Sequence, residues 1–169
     1  MATEIKIEVA KFEDVVAIQA IYAHHVLNGL GTFEEIPPTI EDMKKRFDKI
    51  TADGFPFLVA RLTGKVIGYA YASHFRERSA YRFTVEDSIY IDSQYQGSGV
   101  GSMLLKELIA TCKQRGYLQM LALIGDSNNS GSVNLHKKHG FELTGVMKNV
   151  GYKFEKFVDV VVMQLDLEI

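Results

Sequence analysis

Three groups of residues in this chain carry recognisable chemistry. The first is the turn Gln96, Gly97, Ser98, Gly99, Val100, Gly101 and Ser102, which joins an apolar run containing Ile89, Tyr90 and Ile91 to the helical pattern Met103-Leu104-Leu105 and Leu108-Ile109. Glycines let the backbone take positive φ and approach a ligand closely, and the first turn of a helix leaves N–H groups unpaired at the positive end of its dipole. Strand, glycine turn and helix in that order can hold a phosphate without a lysine, and the motif alone suits any nucleotide or CoA ligand.

The second group is Glu86, at the upstream end of the same strand. Apolar surroundings raise a carboxylate's pKa and make it a candidate base near neutral pH; the alternative is a side chain that faces solvent. Asp87 points to the opposite face by strand alternation and is the second choice. The third group is Arg76 and Arg78, which alternation puts on one face, with Tyr81 nearby as a wall. A planar guanidinium pairs with a carboxylate or phosphinate through two parallel hydrogen bonds, the alternative being solvated surface arginines. His136 and His139 stand three apart, but no cysteine or acidic ligand set accompanies them, so no metal site is expected.

Several elements must position these residues. Glu4 to Val9 alternates polar and apolar as a half-buried strand does. From Glu13 the period becomes helical, through Val15, Ile18, Ile21, Tyr22 and His25, and Asn28-Gly29 stops it. Gly29 to Pro38 reads as a loop carrying Thr32-Phe33-Glu34, an aromatic placement common at binding sites. Thr39 caps a second helix to about Ile50, with Asp42 where a capping box more usually has Glu or Gln. Phe57 to Leu62 and Val66 to Ser73 form an antiparallel hairpin across Thr63-Gly64-Lys65. After the glycine turn a helix runs to Arg115, then a strand Leu118 to Ile124, a short helix Ser132 to His139, and two strands, Phe141 to Asn149 and Phe157 to Leu167, with Gly151 marking the break.

The 169 residues, 47% apolar and 24% charged, have the composition of an ordinary globular domain, and one domain over residues 1–169 is expected. A net charge of −2 with no basic block argues against a nucleic-acid partner. No apolar run is long enough to span a bilayer, so no membrane association is expected. A lone Cys112 and a start without the apolar core of a signal peptide suit a reducing compartment, so the expected location is cytoplasmic.

Gln96-Gly97-Ser98-Gly99-Val100-Gly101, followed at the right distance by Asn129, Ser132, Leu135, His136, Gly140 and Phe141, resembles the two signatures of the GNAT superfamily of N-acetyltransferases. A narrower resemblance covers nearly the whole chain. Ile21-Tyr22-Ala23-His24, Arg76-Glu77-Arg78-Ser79-Ala80-Tyr81, Thr84 to Ile91, Leu135-His136 and Gln164-Leu165-Asp166 look like the phosphinothricin and methionine sulfoximine acetyltransferases. The resemblance implies an α/β fold, a central twisted mixed sheet of six to seven strands flanked by about four helices. It also implies acetyl-CoA as co-substrate and a homodimer.

By the same resemblance, Gln96 to Ser102 hold the pyrophosphate, and Ile89, Tyr90 and Ile91 border a gap between two strands that takes the pantetheine arm. Asn129 and Ser132 contact that arm, Asn129 being equally a helix N-cap. Glu86 deprotonates the incoming ammonium and His136 is the acid for the departing thiolate, with helix packing as the alternative for His136. Phe33, Arg76, Arg78 and Tyr81 receive the acceptor. Glu34, Phe157 and Val158 depart from the family's arginine, tryptophan and histidine, which bears most on the acceptor's identity. The expected activity is acetyl transfer to the α-amine of a small anionic amino acid. The alternatives are a different amine acceptor, or a catalytically silent CoA-binding sensor.

Overall fold

The computed structural model describes residues 4–168. In chain order these form β1 (Lys6–Val9), α1 (Val15–Asn28), α2 (Ile40–Ala52), β2 (Phe57–Leu62), β3 (Lys65–His74), β4 (Thr84–Ile91), α3 (Val100–Gln114), β5 (Gln119–Gly125), α4 (Ser130–Lys138), β6 (Glu142–Lys153) and β7 (Lys156–Asp166). The strands make one mixed seven-stranded sheet in the order β1-β2-β3-β4-β5-β7-β6. Every neighbouring pair is antiparallel except β4 and β5, which run parallel across the α3 crossover.

Each face of the sheet is covered by helix, because its strands alternate apolar side chains to both sides. On one face Val15, Ile18 and Val26 of α1 and Phe47 of α2 pack against Phe57, Val59 and Tyr69. On the other, Leu104, Leu105, Leu108 and Cys112 of α3 pack against Ala70, Val85 and Met120. Helix α2 begins with a complete capping box: Asp42 N–H donates to Thr39 Oγ1, and Thr39 N–H donates back to Asp42 Oδ2. The shorter aspartate thus closes the box that glutamate usually makes.

The end of the chain differs from the sequence expectation. Gly151 does not break the strand; β6 passes through it, and the turn falls at Phe154 (φ 52°) and Glu155 (φ 58°), between paired Lys153 and Lys156. Two left-handed residues suit a tight hairpin, but neither is the glycine or asparagine that normally advertises one. Two register shifts in β6, between Leu143 and Gly145 and between Met147 and Gly151, absorb the extra length.

Candidate active site

Strands β4 and β5 pair only at Thr84–Gln119, Val85–Met120 and Glu86–Leu121, and then part. The parting opens a cleft of about 730 Å³ through the sheet, within the range of small-molecule sites. Its walls are β4 from Glu86 to Ile91, β5 from Leu123 to Gly125, the turn before α3, the inner face of α4, and Gly31, Thr32 and Phe33 of the α1–α2 loop.

Because strand residues alternate, β4 presents different chemistry to the two ends of this cleft. Ile89 and Ile91 pack toward the α3 side with Val85, while Tyr90 packs toward α1. Glu86 shares the Tyr90 face, and Asp87 shares the Val85 face, where it is buried. Glu86 lines the cleft with its pKa pushed up to about 7, by burial first and by the charge of Asp87 second, against the opposing pull of Arg76. A carboxyl group in that range exchanges protons readily at neutral pH.

His136 projects from α4 and is buried against the edge of Phe141. Its Nε2 lies 2.7 Å from Asp87 Oδ2 and its Nδ1 2.7 Å from the carbonyl oxygen of Ser132. Burial disfavours the imidazolium, but the hydrogen bond and charge of Asp87, with the Ser132 carbonyl, outweigh it and raise the pKa. Asp87 is thus hydrogen-bonded to His136, on the strand face opposite Glu86. Strand alternation puts Asp87 on this face, but only the fold shows that α4 delivers a histidine to it.

The glycine turn has the geometry of an anion cradle. Gly97 (φ 74°) and Gly99 (φ 87°) are left-handed, and a Cβ at either would meet nothing within 4 Å. The first α3 ladder bond runs from Met103 N–H to Gly99 C=O, so the N–H groups of Val100, Gly101 and Ser102 precede the ladder. Gln96, Gly97, Gly99, Gly101 and Ser102 line the cleft. The side chains of Ser98 and Val100 do not: Ser98 donates its hydroxyl to the Tyr95 carbonyl, and Val100 is buried in the α3 core. Ser102 Oγ lies 2.8 Å from His139 Nε2. Asn129 caps α4 by accepting from Ser132 N–H, and both residues also line the cleft.

Of the four residues named for the acceptor, only Phe33 lines the cleft. Arg76 and Arg78 lie where the chain has left β3 and no longer alternates, so the premise that placed them on one face does not hold. Both arginines are exposed; Arg76 stacks on Phe75 and its charge reaches Glu86. Tyr81 packs edge-on against Phe75 at the rim of this loop. Glu34, one residue beyond Phe33, is ion-paired with Arg46 at 2.7 Å.

Several site features carry no sequence signal. His25 Nε2–H donates to the carbonyl of Ile91 at 2.7 Å, tying α1 to the end of β4. Lys153, 1% exposed, donates from Nζ to the carbonyls of Gly29 and Thr32 at 2.8 Å each. Gly125 and Gly151 leave room for the α1–α2 loop: a Cβ on Gly125 would lie 2.1 Å from Leu30 O, and one on Gly151 2.3 Å from the Phe33 ring.

A mixed sheet opened between its two parallel strands, with a glycine cradle at the mouth and a neutral-range carboxyl on the wall, is the framework of an acyl-CoA-dependent transferase. The chain belongs to the acetyltransferase (GNAT) family, whose family model matches residues 18–141, and it is an acetyl-CoA-dependent N-acetyltransferase. It is 49% identical over 161 residues to the phosphinothricin N-acetyltransferase of Alcaligenes faecalis, covering 95% of this chain and 82% of that one. It is 37% identical to the L-methionine sulfoximine/L-methionine sulfone acetyltransferase of Pseudomonas aeruginosa, covering 92% and 90%. The crystal structure of the Sinorhizobium meliloti phosphinothricin acetyltransferase in complex with acetyl-CoA superposes with a TM-score of 0.94, at 46% identity and over 96% of this chain and 88% of that one. Among the described residues no helix is long and apolar enough to cross a membrane.

Proposed function

We propose that this enzyme transfers acetyl from acetyl-CoA to the α-amino group of a small anionic amino acid or analogue, of the phosphinothricin, methionine sulfoximine or methionine sulfone type, by direct attack with both substrates bound. The observation that carries the reading is Glu86, a carboxyl group of pKa about 7 on the cleft wall at the last pair joining β4 to β5. An amino acid arrives as an ammonium, which has no lone pair to attack with. Glu86 accepts one of its protons, directly or through a water, and releases it again near neutral pH.

Acetyl-CoA, when bound, supplies an acetyl group activated as a thioester. The residues present fit it. The hollow over Gly97 and Gly99 is free to receive the pyrophosphate, with the Val100, Gly101 and Ser102 N–H groups as donors. Beyond Glu86 the β5-facing backbone groups of β4 lack a strand partner, which leaves those other than the Ile91 carbonyl, held by His25, for the pantetheine amides, and a backbone N–H near Ile91 polarises the thioester carbonyl. Ile89, Tyr90 and Ile91 border the arm, and Asn129, whose Oδ1 is used by the cap, offers its amide N–H groups to it.

His136 holds a proton at Nε2 for the departing thiolate, and must leave Asp87 to deliver it. Phe33 walls the acceptor side of the cleft, while Arg76, Arg78 and Tyr81 serve its outer end, where the charge of Arg76 already reaches Glu86. The enzyme works in the cytoplasm and as a homodimer; the dimer is supported by the apolar row on the outer face of the β6–β7 hairpin, where Val150 is 57%, Tyr152 57% and Phe157 68% exposed.

A mass-spectrometric screen with acetyl-CoA tests the acceptor. Amino acids and their sulfone, sulfoximine and phosphinate analogues should be acetylated at the α-amine. Product only from polyamines, aminoglycosides or peptide amino termini would reassign it. Sedimentation should show a dimer, and a monomer at micromolar concentration would remove that part of the reading.

A further inference from the structure

The inner face of β6 makes three contacts with the loop that walls the cleft. Lys153 enters where, among the described residues, no carboxylate lies within ion-pair distance, and it spends two donors on the carbonyls of Gly29 and Thr32. Buried main-chain carbonyls need partners, and these two find theirs more than 120 residues along the chain. Two residues earlier on the same strand face, Gly151 presents bare backbone to the Phe33 ring, whose Cε2, Cζ and Cδ2 would lie 2.3, 2.6 and 2.8 Å from an added Cβ. The neighbours Val150 and Tyr152 point the opposite way, to the surface.

We propose that Lys153 and Gly151 are positioning residues for the acceptor: together they fix the loop from Gly29 to Phe33, and so set how an amino acid sits against Glu86. The lysine fixes the loop backbone through its carbonyls, and the glycine fixes the depth of the Phe33 ring. Neither residue lines the cleft that holds Glu86 and the glycine turn proposed to serve acetyl-CoA. Their loss therefore falls on one substrate and spares the other. The proposal rests on the reading of Phe33 as the acceptor wall.

The test uses the full chain with phosphinothricin and methionine sulfone as acceptors, and measures both KM values, kcat, the Kd for acetyl-CoA and hydrogen exchange across residues 29–34. Lys153→Met and Gly151→Ala should each raise the acceptor KM about tenfold while changing the acetyl-CoA Kd less than about twofold. Exchange in the loop should quicken in Lys153→Met. The double variant Gly151→Ala/Phe33→Ala should be no worse than Phe33→Ala alone, because the ring that the new methyl would displace is gone. Equal loss for both substrates, an unmoved acceptor KM in folded Gly151→Ala, or additive behaviour of the double variant would overturn the proposal. Should Lys153→Met fail to fold, the glycine variants carry the test unaided. A Phe33→Ala enzyme with an unchanged acceptor KM, alongside faster loop exchange in Lys153→Met, would instead remove the reading of the wall and leave the clamp itself standing.

Discussion

His136 and Asp87, from α4 and β4, form a buried pair 2.7 Å apart with each side chain only 4% exposed. Asp87 accepts at Nε2 and the Ser132 carbonyl accepts at Nδ1, so the geometry calls for a proton on each ring nitrogen. The pair fastens a helix of the cleft to the central strand, and it sets the charge state of the residue proposed to return a proton to the leaving group. Water has little access to it, so its response to pH is built into the fold.

Asp87→Asn tests that response. In the folded enzyme the pKa of His136 is raised, so the stabilisation is fully present below the unfolded value of about 6.5 and is lost as pH rises through the folded one. Removing the carboxylate should cost on the order of 2 kcal/mol at pH 6 and progressively less in alkali. Melting temperatures from pH 5 to 9 check this, and a loss independent of pH would show that the pair is not an imidazolium bridge.

Glu86→Gln should lower kcat by about 10²-fold or more and leave acetyl-CoA affinity unchanged. The acid limb of kcat/KM, expected near pH 7 in the wild type, should vanish. Stability should move the other way. A carboxyl whose folded pKa is raised binds more protons folded than unfolded, so the wild type loses stability as pH climbs from the unfolded value to about 7. Above that pH the glutamine variant should be the more stable by about 1 kcal/mol, after allowance for partial exposure. An unchanged pH–rate profile would remove Glu86 from the base role.

Arg76 and Asp87 act on Glu86 with opposite signs. Arg76→Ala removes the pull that lowers its pKa and should move the acid limb upward in pH, while Asp87→Asn removes a raising charge and should move it downward. Arg78→Ala, two residues further along the same exposed loop and not among the charges acting on Glu86, should leave the limb in place and act only through the acceptor KM. Identical limbs in all three variants would break the electrostatic link.

Most of the scaffold was legible because it is written in local patterns. Period-two and helical repeats mark β1, α1 and α2, and the glycine turn marks the start of α3. What stayed hidden depends on contacts between distant segments. The hairpin turn at Phe154-Glu155 carries no turn residue, and Gly151, which looks like a breaker, is there to make room for Phe33. Lys153 reads as a surface lysine on a strand end, since nothing local shows that the α1–α2 loop will bring it two carbonyls. Arg76 and Arg78 fail to share a face for the opposite reason: alternation is a local rule, and it stops at the end of β3.

Cys112 decides between direct attack and an acyl-enzyme. It is fully buried on the core face of α3, and burial pushes its thiol up to about 12, so no thiolate is available near neutral pH. Cys112→Ala should therefore keep kcat within about twofold of wild type. It should destabilise by about 1 kcal/mol, the cost of a small buried void. Iodoacetamide should label the thiol only after denaturation, and incubation with acetyl-CoA alone should add no acetyl mass to the protein. Recovery of an acetylated Cys112 peptide, together with loss of activity in the alanine variant, would replace direct attack by a two-step transfer. Retained activity would leave Glu86 working on an amine that attacks the thioester itself.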